Sequence, residues 1–175
     1  MKIFLVAGKS GSGKGEIAKF IKEFYIYKLE NAVITEYTKY LKLFAQEITD
    51  WDGNLNTKPK KELQELGDKI RGVNKKYFIN NMINDLQIYE ALGIENVIIA
   101  DVRFPEEIED IKLNFDNVYS IAVINQFSQS NLTIEEQVHV TETALENYDE
   151  FDYVLANDNI DNLKDKVFKY LEGIK

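Results

Sequence analysis

The run KIFLVAGKSGSGKGE, residues 2 to 16, constrains this chain more than any other stretch of it. Lys2 to Ala7 is a continuous apolar run closed by Gly8, which suits a short strand covered on both faces. Beyond the glycines, Ile17, Phe20, Ile21 and Phe24 recur at helical spacing. A strand, a glycine loop and a helix in that order bring backbone N–H groups and the positive end of a helix dipole to one point, where an anion is favoured. The string Gly8 to Gly15 nearly fits the pattern G-x-x-x-x-G-K-[ST], in which Lys14 reaches phosphate oxygens. Gly15 stands where that pattern has Ser or Thr, so the hydroxyl that commonly ligates Mg²⁺ is missing, and Glu16 follows it.

The rest of the chain continues the alternation of strand and helix. A second strand is expected at 32–35 and helices at 37–48, 59–70 and 75–92, with the Asp-, Gly- and Pro-containing stretch 50–59 as a loop. Asn96 to Ala100 is the most strand-like run, and Gly93 ends the helix before it. Pro105 opens a short acidic helix, Asn117 to Ile124 reads as a strand, 125–138 as a polar loop, and Thr141 to Tyr148 as a short helix. A last strand at 153–156 leads into an amphipathic C-terminal helix. Such alternation implies an α/β fold: a parallel sheet covered on both faces, with ligands at the carboxyl ends of the strands. The length, 175 residues, is that of one domain, 1–175, able to bury roughly 70% of its unfolded surface.

Charge narrows the partners. A net charge of −9 argues against a nucleic-acid backbone, and no stretch approaches the ~18 apolar residues of a membrane helix. The chain has no cysteine, which excludes disulfides and thiolate chemistry, and a cytoplasmic protein is expected. The only two arginines are Arg71 and Arg103, and residues 113–163 contain neither Lys nor Arg. In VIIADVRFPEE, Asp101 follows a hydrophobic strand, where a phosphate-loop fold places the acid that organises Mg²⁺. Arg103, two residues on, offers a bidentate fork to phosphate; a surface ion pair with Glu106 or Glu107 is the plainer reading. Arg71 closes a polar helix, where a cation also suits the dipole. Tyr37, Tyr40, Phe44 and Trp51 are candidates to wall an acceptor pocket, although aromatic residues at this spacing also suit a core.

The strings GKSGSGKG, LQELGDKIR, ADVRFPEEIE, HVTETAL and FDYVLAND together resemble the deoxynucleoside monophosphate kinases of phages and bacteria. Adenylate-kinase-like enzymes, which share the GKG string, and animal-type phosphomevalonate kinases are more distant likenesses. The resemblance implies a three-layer α/β/α P-loop kinase fold with a five-stranded parallel sheet in the order 2-3-1-4-5, a helical acceptor insert at about 37–92 and a lid at about 125–140. It further implies ATP with Mg²⁺ as donor and small-molecule nucleotides as partners. Gly8, Lys9, Ser10, Gly11, Ser12, Gly13, Lys14, Gly15 and Glu16 would hold the donor phosphates, with Asn157 and Asp158 near its adenine. Lys14, Asp101 and Arg103 would be catalytic, Asp101 also holding the metal, while Arg71, Tyr37 and Arg103 would bind the acceptor. Gln129, His139 and Glu142 would belong to the lid, His139 fixing its end with Thr141 as helix cap. The family usually carries arginines in the lid, and residues 125–138 have none. That departure leaves three readings open: the remaining cations suffice, a partner subunit of a homodimer contributes, or the chain binds nucleotide without transfer.

Overall fold

A computed structural model describes residues 1–54, 57–125, 133 and 137–174. Five strands, β1 (Lys2–Ala7), β2 (Ala32–Thr35), β3 (Asn96–Val102), β4 (Val118–Ile124) and β5 (Tyr153–Ala156), form one sheet in the order β2-β3-β1-β4-β5, every pairing parallel. The helices are α1 (Lys14–Tyr27), α2 (Lys39–Ile48), α3 (Lys60–Val73), α4 (Tyr77–Ala91), α5 (Pro105–Asn114), α6 (Val140–Thr143) and α7 (Ile160–Glu172). This is the three-layer α/β P-loop kinase fold.

Strand periodicity builds the two halves of the core. On β1, Ile3, Leu5 and Ala7 point into one cluster with Leu41, Leu63, Phe78, Met82 and Leu86 of α2, α3 and α4. Phe4 and Val6 point into the other, with Ile17 and Ile21 of α1 and Leu163, Val167 and Leu171 of α7. Because both faces are dry, the strands read as unbroken apolar runs rather than as alternating ones. The C-terminal ends of β1 and β3 accordingly open together into one crevice, where parallel sheets bind ligands.

Several boundaries differ from expectation, α3 among them, which runs 60–73 rather than 59–70. Helix α2 begins at Lys39 rather than Tyr37, because the N–H groups of Tyr37 and Thr38 are spent on the carboxylate of Asp101, at 2.7 and 3.1 Å. An acid on β3 thus caps a helix that has no side-chain cap of its own. β3 runs on through Val102, two residues past the expected end. The helix expected over 141–148 closes at Thr143 and continues as tight turns, Glu146 N–H to Thr143 O and Tyr148 N–H to Leu145 O.

Candidate active site

The loop after β1 has the geometry its glycines suggest. Gly8, Gly11 and Gly13 have φ of 148°, 76° and 104°. At Gly13 any other residue would be strained, and its Cβ would stand 2.4 Å from the Asn157 amide nitrogen. That amide donates to Ser12 O at 2.8 Å, so Asn157, from the end of β5, braces the loop from beneath. Among the described residues no acceptor takes the N–H groups of Gly11, Gly13, Lys14 and Gly15, and the Ser12 hydroxyl is buried without a partner. Nothing lies within 4 Å of a Cβ built at Gly11 or Gly15. Orphaned donors around open space are what a polyphosphate satisfies, so this cradle fits ATP.

Lys14 is folded back, donating to Gly8 O at 2.7 Å and Lys9 O at 2.8 Å. Burial, reinforced by the Arg103 charge, holds its amine down at about 7. The mouth of the loop is occupied by the protein's own acids. Glu142 of α6 accepts the Ser10 N–H at 2.7 Å through one oxygen and pairs with Arg103 at 2.8 Å through the other. Glu146 pairs with Lys9. Arg103 therefore pairs across the chain with Glu142, not with the nearby Glu106 or Glu107. Glu107 instead accepts the N–H groups of Arg103 and Phe104, at 2.7 and 3.1 Å, and fixes the turn from which Arg103 projects.

Glu107 is buried, and desolvation raises its carboxyl to about 8 from an ordinary 4.5. Such a group binds its proton more tightly folded than unfolded. The stability it contributes is therefore full below about 4.5 and drains away as pH rises toward about 8. Between pH 5 and 7 the wild type should lose stability relative to Glu107→Gln by up to about 1.4 kcal/mol per unit. Denaturant melts of both at several pH values measure this, and parallel profiles would contradict it.

Arg71 has a seat prepared by three residues. Its guanidinium carbon lies 4.9 Å from the Phe78 ring centre and 4.5 Å from that of Phe104. Gly67 leaves it room, since a Cβ there would meet the guanidinium at 3.2 Å. Its closest carboxylate, Asp68, is 3.7 Å away. Arg71 joins Arg103, Asp101, Glu107, Thr141 and Glu142 on a cavity of about 150 Å³ that reaches Ser10 of the loop. Lys42, Lys58 and Lys60 also line it, and no local sequence pattern marks out any of the three. A second cavity of about 790 Å³ shares Arg71 and Glu107 and is walled by Phe78, Ile79, Phe104 and Val140.

Several expected site residues stand elsewhere or are engaged within the fold. Tyr37 lines neither cavity: it is buried in the core, and its hydroxyl donates to Glu107 O at 2.6 Å. Asp101 has both oxygens committed to the start of α2, including the Thr38 hydroxyl at 2.6 Å. Among the described residues no three Asp, Glu or His side chains converge as a cation site. Glu16 forms an exposed pair with Lys19 on the first turn of α1, where an acid favours the dipole, and does not face the loop. Asp158 pairs with Lys166. His139, not Thr141, caps α6: its Nδ1 accepts the Thr141 N–H, while Nε2 meets Asp68 at 2.9 Å and ties α6 to α3. Gln129 lies outside the described residues.

The fold is shared by solved kinases along their whole length. An APS kinase of Mycobacterium tuberculosis, in complex with AMPPNP and APS, superposes with a TM-score of 0.58 at 14% identity, covering 98% of both chains. A sugar kinase from a Janibacter species gives 0.60 at 12% identity over 98% of this chain and 95% of that one. The shikimate kinase of Bacteroides thetaiotaomicron gives 0.52 at 16% identity over 98% of each. At these identities the likeness is one of fold. No family model and no curated protein matches the sequence. No described helix is long and apolar enough to cross a membrane.

Proposed function

We propose that this chain is a cytoplasmic kinase that transfers the γ-phosphoryl group of ATP to a nucleoside or deoxynucleoside monophosphate, giving the diphosphate and ADP. One observation carries this reading. A single cavity is lined at one end by Ser10 of the phosphate loop and elsewhere by Arg71 and Arg103, so two anionic groups brought to it would meet. The adjoining cavity, with Phe78 and Phe104 on its wall, gives an acceptor nucleoside a place beyond its phosphate.

In this reading an acceptor phosphate oxygen forms the new P–O bond as the bond from the γ-phosphorus to its bridging oxygen breaks, and ADP departs with that electron pair. The chain contributes positioning and charge. The loop N–H groups orient the donor phosphates, Lys14 leaves the Gly8 and Lys9 carbonyls to reach them, and Arg71 holds the acceptor in line. Mg²⁺ would arrive bound to the donor phosphates and would supply charge neutralisation there.

The absence of an aromatic wall in the smaller cavity favours a second reading, a small non-nucleotide phosphate such as phosphomevalonate as acceptor. A coupled ADP-release assay across the natural nucleoside and deoxynucleoside monophosphates, with phosphomevalonate beside them, decides. Stimulation by one nucleotide acceptor is expected. ATP binding without stimulation by any acceptor would overturn the kinase reading and leave a nucleotide-binding protein.

A further inference from the structure

We propose that Lys58, backed by Lys42, forms an anion subsite that faces the phosphate loop and holds the oxyanion passing between donor and acceptor. This assignment of one more charge to the reaction centre rests on the kinase reading above, but the subsite itself is a claim about anion binding and is testable without turnover.

The arrangement of charge around Lys58 is the argument. Three of the cations around it have an internal acceptor, Lys42 with Glu36, Arg103 with Glu142, and Lys14 with two loop carbonyls, whereas Lys60 on the same cavity has no ion pair among the described residues either. Lys58 has no carboxylate within ion-pair distance among the described residues. It is half-buried beside Lys42 and Arg103, and burial together with the Lys42 charge lowers its pKa. Lys58 in turn helps to depress Lys14, so its field reaches the loop lysine across the cavity. Glu36 and Asp101 partly offset the Lys42 charge, and Arg103 adds a smaller repulsion.

Such a cluster is unfavourable for the free protein. With 30 acidic residues in the chain, carboxylates are available to neutralise a half-buried lysine, as the pairs of Lys39, Lys112 and Lys164 illustrate. A cation held half-buried, unpaired and beside two others is relieved by an oxyanion. The cavity it shares with Ser10, Arg71 and Arg103 is the space where that oxyanion would sit. Unrelieved repulsion at a binding site is stability given up for function. It also separates Lys58 from a structural lysine, whose removal would lower stability.

Tripolyphosphate is the probe, titrated calorimetrically into the wild type, Lys58→Gln and Lys58→Arg. Lys58→Gln should weaken binding ~10-fold or more, the effect of losing one charge-assisted contact. Its melting temperature should equal or exceed that of the wild type, and Lys58→Arg should retain most of the affinity. Wild-type affinity in Lys58→Gln, or a fall in its melting temperature, would overturn the subsite. With an acceptor found in the ADP-release screen, Lys58→Gln should lower kcat more than it raises the ATP KM. A screen that finds no acceptor removes the kinase reading, while the tripolyphosphate titration still decides the subsite.

Discussion

Lys14→Ala is expected to lower turnover at least ~100-fold, the loss typical of removing one preorganised charge contact to a reacting group. In the free protein the Lys14 amine donates to Gly8 O and Lys9 O, and Lys9 O keeps the Ser12 N–H at 3.2 Å when the amine is removed, so the fold depends little on the contact. The melting temperature should therefore move little while turnover collapses. A second measurement isolates the same amine. Burial and the Arg103 charge hold it at about 7, so near pH 8 much of it is neutral before a ligand arrives. Phosphate oxygens favour the charged form, and binding of ATP at pH 8 should take up close to ~1 proton. Calorimetric heats in buffers of different ionisation enthalpy read that uptake directly, and Lys14→Ala should abolish it. Unchanged turnover together with unchanged proton uptake would remove Lys14 from the site.

The fold was legible because its strands are dry on both faces. Runs such as KIFLVA and NVIIA have no other way to bury themselves, and β2 and β5 fall on the expected residues. Arg71 and Arg103 stood out for a compositional reason, being the only arginines in the chain. What the sequence concealed are contacts made across long separations. Lys58 and Lys60 flank Pro59 in a string that reads as a solvated helix start; only the packing of Leu41 and Leu63 into the core turns that string toward Ser10. Asp101 sits at the expected end of a strand, yet its carboxylate serves the start of α2, a role set by the β2–β3 pairing. Gly67 interrupts α3 for a reason no local pattern shows, the guanidinium one turn later. Glu16 follows the loop in sequence but lies on the outer side of α1.

Glu142→Gln should raise the affinity for ATP about 10-fold while lowering the stability of the free protein, because one interaction is lost in both measurements. In the free protein the Glu142 side chain is only 7% exposed. Its two oxygens take the Ser10 N–H and the Arg103 guanidinium, donors that an incoming phosphate would use. A carboxylate there stands where a phosphate oxygen would, so ATP must displace it before those donors become available. Glutamine keeps the shape but accepts hydrogen bonds more weakly, and it does not repel the incoming anion. The neighbouring Glu146–Lys9 pair is exposed on both sides and should contribute little, so Glu146→Gln serves as a control with near-wild-type affinity. The carboxylate is carried by α6, and α6 is tied to Asp68 of α3 through His139, so loosening that tie makes the acid easier to displace. His139→Gln should then give a smaller gain in ATP affinity of the same sign. A loss of affinity in Glu142→Gln would mean that the acid helps to hold the donor rather than competing with it.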